Sequence, residues 1–178
     1  MPEVVVDTSV VQDFHQLGKL EILRSLYSRV SLPSAVIAEL AEGCRRGVDH
    51  PDVAALDWVD VASIQVASEL LSGDELGEGK LEVITLALRS SDVLAILDDK
   101  LARDYARSRG IRFTGTLGVL LKAKAAGLLS VLAPVLNSLE GLGFRMDANT
   151  RAEVLRLAGE SDDQTSSTSN ESSVTDTP

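Results

Sequence analysis

A chain of 178 residues, 44% of them hydrophobic, can bury one core without staples, and a single cysteine, Cys44, excludes both a disulfide framework and a Cys-x-x-Cys metal knuckle. The net charge of −10 excludes a protein that wraps nucleic acid with its whole surface. No basic-plus-apolar leader opens the chain and no apolar run reaches the length of a membrane span, so a soluble, cytoplasmic protein is expected.

In chain order, residues 3–6 (Glu-Val-Val-Val) read as a short buried strand, followed at once by Asp7-Thr8-Ser9. An amphipathic pattern over 10–27 predicts a helix, and 29–32 (Arg-Val-Ser-Leu) a second strand. Pro33 suits the first turn of a helix over 34–42 that should stop at Gly43. Residues 58–62 read as a third strand, opened by Trp58 as a core residue. A helix over 79–90 leads to the strand 93–97 (Val-Leu-Ala-Ile-Leu), which ends in Asp98-Asp99. A helix over 99–108 should stop at Gly110, a strand follows at 111–113, and a helix over 117–126 should stop at Gly127. Thr150-Arg-Ala-Glu153 reads as a capping box for a last helix ending at Gly159. Strands alternating with helices predict a three-layer α/β/α domain over 1–159 with a mainly parallel central sheet.

Residues 160–178 carry five acids and no Lys or Arg, which leaves −5 for residues 1–159. This Ser/Thr-rich stretch has too little apolar surface to offset its ordering entropy and is expected to be a disordered acidic tail. A halophilic origin would also account for an acidic, aromatic-poor chain.

Three acidic outposts carry the functional reading: Asp7, Glu39, and the pair Asp98-Asp99. Each follows a strand or lies in the helix after one, and ligands of open α/β sheets bind outside the carboxyl ends of the strands. Carboxylates gathered there repel one another unless a cation sits between them, and hard oxygen donors suit Mg²⁺ or Mn²⁺. Each acid also has a structural reading: Asp7 and Asp98-Asp99 as helix caps, Glu39 as a solvent-facing helix residue. A capping carboxylate can still bind metal, so these readings do not exclude one another. Arg103 and Arg107 share a helix face at i, i+4 and, with Lys100, Arg109 and Arg112, form the dense basic cluster. It reads either as a local grip on RNA phosphates or as a solvated face pairing with Asp104. His15 and His50 read as surface or structural residues, Cys44 as an incidental thiol, and Gly77-Glu-Gly79 as too short for a dinucleotide fingerprint.

Five segments in order, Val-Val-Asp-Thr-Ser, Val-Ile-Ala-Glu-Leu, Leu-Gly-Glu-Gly-x-x-Glu-x-Ile-x-Leu-Ala, Leu-Asp-Asp-Lys-x-Ala-Arg and Thr-Gly-Thr-Leu-Gly-Val-Leu, resemble the PIN domain, and more narrowly its DUF3368 branch. The resemblance runs from about residue 3 to 159. It implies a Mg²⁺- or Mn²⁺-dependent endoribonuclease acting as the toxin of a toxin–antitoxin module, with an RNA substrate, an antitoxin partner and a homodimer. Asp7 matches the first family acid, Glu39 the second, and Asp98 or Asp99 the last. Thr8, Ser9, Thr114 and Thr116 match hydroxyl positions that help hold metal, water or phosphate.

One departure stands out. The related sequences read Gly-Glu-x-Glu-Ala-Ile where this chain reads Gly79-Lys80-Leu81-Glu82-Val83-Ile84, so Lys80 occupies an acidic place. An ammonium about 6 Å from a dication, at an effective dielectric near 20, repels it by roughly 5 kcal/mol at most, or three to four decades of affinity. Glu82 or Glu78 could substitute only with a local backbone shift. Three readings follow: a metal-dependent ribonuclease, a catalytically degenerate PIN-like module that binds RNA or protein, and a phosphohydrolase or receiver-like acid site. The direction in which Lys80 points separates the first two.

Overall fold

The computed structural model describes residues 2–66, 76–89 and 92–161. Residue 90 of the expected helix over 79–90, and all but two residues of the expected tail, lie outside the described residues. Five short strands form one sheet: β1 (Glu3–Val6), β2 (Val30–Pro33), β3 (Val59–Ala62), β4 (Val93–Ile96) and β5 (Arg112–Thr114). Every pairing is parallel and the order is β3-β2-β1-β4-β5. Among the described residues, eight α-helices flank the sheet on both faces in three layers, as expected. Val4, Val5 and Val6 of β1 are buried in succession, as befits a strand covered on both faces.

The chain lays β2 and then β3 on one side of β1, then crosses back to place β4 on the other side. The strand order therefore reverses between β1 and β4, and the crevice at their carboxyl ends is the ligand position of such sheets. In-register pairing of Val6 with Ile96 puts the residues after both strands, Asp7 and Leu97-Asp98, at that crevice.

The helices are α1 (Thr8–Gln16), α2 (Glu21–Tyr27), α3 (Ser34–Arg45), α4 (Glu78–Arg89), α5 (Lys100–Ser108), α6 (Thr116–Ala125), α7 (Ala133–Gly141) and α8 (Ala148–Leu157). Several boundaries differ from expectation, each for a local reason. The single helix expected over 10–27 is two, because Gly18 (φ +63°) ends the first; its N–H and that of Lys19 return to the carbonyls of His15 and Phe14. Helix α3 continues through Gly43 instead of stopping there. A Cβ at residue 43 would lie 2.0 Å from His50 Nε2, so that glycine makes room for an imidazole, not for a turn. Helix α8 starts earlier than the Thr150 capping box implied. Asp147 is the N-cap, accepting the Thr150 N–H (2.8 Å) and hydroxyl (3.1 Å).

Helix α7 was not anticipated. It carries a proline in its first turn and buries Val135, Leu136 and Leu139 in the core. Its N-terminus is held by Glu160, whose carboxylate accepts the N–H groups of Leu132 (2.6 Å) and Ala133 (2.9 Å) and pairs with Lys124 Nζ at 2.8 Å. Burial pushes the Glu160 carboxyl up, but Lys124 and the two N–H groups outweigh it and hold the group below the usual range. The folded unit thus reaches at least residue 160, past the boundary expected at 159. The side chain read as the first of a solvated tail is a helix clamp. Among the described residues, no helix is long and apolar enough to cross a membrane.

Candidate functional site

Asp7 leaves β1 into the N-terminus of α1 and is fully buried. Its Oδ2 accepts the Ser9 hydroxyl at 3.1 Å and lies 4.0 Å from Lys80 Nζ, while its Oδ1 makes no hydrogen bond. Burial raises the Asp7 carboxyl above its ordinary value and Glu39 adds to the rise, against Lys80, the Thr8 N–H and the Ser9 hydroxyl. Asp7 makes no side-chain cap to α1, so the helix-cap reading of this residue does not hold.

Glu39 reaches across from α3. One oxygen accepts the Thr8 hydroxyl and the other the Gly79 N–H at 3.0 Å. Gly79 permits this approach, since a Cβ there would stand 2.8 Å from both carboxylate oxygens. The first turn of α4 is thereby docked on Glu39, and that turn carries Lys80 into the crevice, its side chain 27% exposed.

Asp98 follows β4. Its Oδ1 accepts the Thr116 N–H at 2.8 Å and its Oδ2 the Thr116 hydroxyl at 2.6 Å. A Cβ at Gly115 would meet Asp98 Oδ1 at 2.6 Å, so only glycine allows this clasp. Burial raises the Asp98 carboxyl, while Thr116 and Arg103 pull it down. Asp99 caps α5 by accepting the Ala102 N–H at 2.9 Å and borders the same cleft. Both members of the pair therefore reach the site, the second also serving as a helix cap.

Glu82 is placed elsewhere. Its buried carboxylate accepts the Ala35 N–H at 2.8 Å and the Ser34 hydroxyl at 3.3 Å, so it serves the N-terminus of α3. Glu78 stands exposed at the start of α4. Neither supplies a third acid beside Asp7.

Lys80 and Asp98 line a cleft of about 380 Å³ together with Ser9, Asp13, Asp99 and Arg145, and the buried Asp7 adjoins it through Ser9 and Lys80. Asp13 was missed in the sequence. The available signal was its place four residues after Ser9, on the same face of α1. Its carboxyl is raised to about 6 by burial and by the nearby Asp98. A carboxyl raised above its unfolded value favours the fold while protonated, and that contribution is lost as pH climbs from about 4 through 6. Asp13→Asn is expected to raise the melting temperature at pH 8 and to leave it unchanged near pH 4, as differential scanning calorimetry at the two pH values would show.

A second pocket, about 740 Å³, adjoins this cleft and shares Asp98, Phe144 and Arg145 with it. Arg103 and Arg107 lie over the Phe113 ring at 5.5 and 5.4 Å. Arg107 and Lys100 pair with Asp104 at 2.6 and 2.9 Å, whereas Arg103 and Arg145 form no salt bridge among the described residues. Arg112 pairs with Asp92, and Arg109 lies over Tyr105, away from this wall. Thr114 lines the pocket, while Thr8, Ser9 and Thr116 serve the acids directly.

A family model described as the PIN domain (DUF3368) matches residues 3–160. The chain belongs to the PIN domain family. A search of curated proteins finds no match to it. PIN domains have a nuclease-like fold and generally use divalent metal ions. In this PIN domain the unpartnered, buried Asp7 Oδ1 is one oxygen suited to a cation. Each oxygen of Glu39 and Asp98 already accepts one hydrogen bond and keeps a lone pair, but the group standing beside Asp7 is the Lys80 ammonium, which opposes a cation there. Among the described residues, no three His, Cys, Asp or Glu side chains are grouped to hold one metal ion. At Asp7 the facing charge is the Lys80 ammonium, 4.0 Å away.

Proposed function

We propose that this PIN domain holds RNA in a cleft whose family metal site is neutralised by its own lysine, making it a catalytically degenerate, RNA-binding member of a nuclease family. The observation that carries the reading is Lys80 Nζ at 4.0 Å from the fully buried Asp7 carboxylate. An ammonium so placed compensates Asp7 without a metal and opposes the entry of a second cation. Arg145, which lines both this cleft and the adjoining pocket and forms no salt bridge among the described residues, offers a phosphate a positive charge, and Arg103 adds a second on the pocket wall. Local grip of this kind suits an overall acidic protein, since binding then depends on a few well-placed cations and falls with salt.

The test pairs binding with cleavage. A labelled single-stranded RNA should bind equally well in EDTA and in Mn²⁺, and cleavage by the wild type should match that by Asp7→Asn. Mn²⁺-stimulated cleavage by the wild type that disappears in Asp7→Asn would restore the working-ribonuclease reading, and with it a toxin role.

A further inference from the structure

The larger pocket has a feature that phosphate binding does not use: beside its charged lining, which includes Asp98, Asp104 and Asp147, it carries two aromatic rings and the guanidinium planes of Arg103 and Arg107. On one side the guanidinium groups of Arg103 and Arg107 cover the Phe113 ring, and the other lining residues include Phe144 and Met146. Phe113 and Phe144 are both only partly buried and both line the pocket. Phe144 is fixed there by the end of α7. Gly143 (φ +96°) turns the chain, and the N–H groups of Gly143 and Phe144 return to the carbonyls of Glu140 (2.9 Å) and Leu139 (3.1 Å). The next residue, Arg145, lines both this pocket and the Lys80 cleft.

From this geometry we infer that the pocket takes one unpaired base of a single-stranded RNA, stacked among the Arg103–Phe113–Arg107 wall and Phe144, with its phosphate directed toward Arg145. Flat aromatic and guanidinium surfaces are the common platforms for splayed RNA bases. A pocket of about 740 Å³ is large enough for a nucleotide and falls in the usual range of ligand sites. Arg103 forms no salt bridge among the described residues, and its charge acts both on Asp98 and on the pocket. The arrangement predicts recognition of bases as π-faces, so it is tolerant of sequence and blind to base-paired RNA.

This inference rests on the RNA reading above but fails separately from it. The experiment compares a fluorescent eight-nucleotide RNA with an abasic ribose-phosphate oligomer of the same length, by anisotropy in EDTA. The wild type should favour the base-bearing probe by about tenfold, the worth of one stacked base. Phe144→Ala should abolish that preference, and Phe144→Trp should keep it. Because Phe144 also packs on the core, Arg103→Gln provides a second reading with less disturbance of the fold, and it should weaken binding to both probes. Equal binding of the two probes by the wild type, or an unaltered preference in Phe144→Ala, overturns the base pocket and leaves the RNA-holding cleft standing. If the wild type holds neither oligomer, both readings fall.

Discussion

Lys80→Glu is expected to create divalent metal binding where the wild type shows little. The substitution removes an ammonium standing 4.0 Å from Asp7 Oδ2 and supplies an oxygen donor on the same turn of α4. Repulsion between an ammonium and a dication some 6 Å apart is roughly 5 kcal/mol at an effective dielectric near 20, and Lys80 can relieve part of it by swinging outward. An affinity gain of about two to three decades for Mn²⁺ is therefore expected from calorimetric titration. Without metal, the new carboxylate faces buried Asp7, so Lys80→Glu should melt below the wild type and recover with Mn²⁺ by mass action. Lys80→Met separates the contributions, because it removes the repulsion without adding a ligand. Mn²⁺-dependent RNA cleavage in Lys80→Glu but not in Lys80→Met would show that the missing acid is all the centre lacks. If the two variants and the wild type bind Mn²⁺ equally, Lys80 does not control the site.

Truncation after Gly159 should destabilise the domain, whereas truncation after Ser161 should not. The shorter protein loses the Glu160 carboxylate and strands two N–H groups at the start of α7, along with Lys124. Hydrogen bonds to a charged group are worth about 1.5–3 kcal/mol, and a helix N-terminus favours a carboxylate independently. A loss of about 2–3 kcal/mol corresponds to a fall in melting temperature on the order of 5–10 °C for a domain of this size. Equal melting of the two truncated proteins would mean that the clamp contributes nothing in solution.

Glu160 illustrates why sequence reasoning stops where it does. Composition assigns it to the acidic stretch that follows, and nothing local distinguishes it from the acids of that stretch. Its role depends on α7, a helix whose short apolar pattern beside Pro134 was not recognised as one. The five strands, by contrast, were legible because short β-branched runs such as Val4–Val6 alternate with helical periods. The positions of Asp7 and Asp98 were legible too, as carboxylates directly after buried strands. What periodicity does not encode is orientation. Lys80 and Glu82 both lay in the motif, yet only the docking of Gly79 on Glu39 decides that the lysine turns inward while Glu82 turns to α3. Asp13 remained hidden for a related reason: its neighbour across the cleft, Asp98, is distant in sequence.

The strand order also governs when the site can exist. β1 is made first, yet half of its hydrogen-bonding partners lie on β4, with Glu3 opposite Val93 and Val6 opposite Ile96. Until β4 arrives, Asp7 has no Asp98 across from it, and the clasp on Asp98 waits longer still, for Thr116. Closing so long a loop is slow, and it is the step that joins the two halves of the sheet. During synthesis, the early strands can pair with one another through β2 and β3 while the cleft is still unmade. No fragment that ends before β4 can therefore bring Asp98 opposite the end of β1.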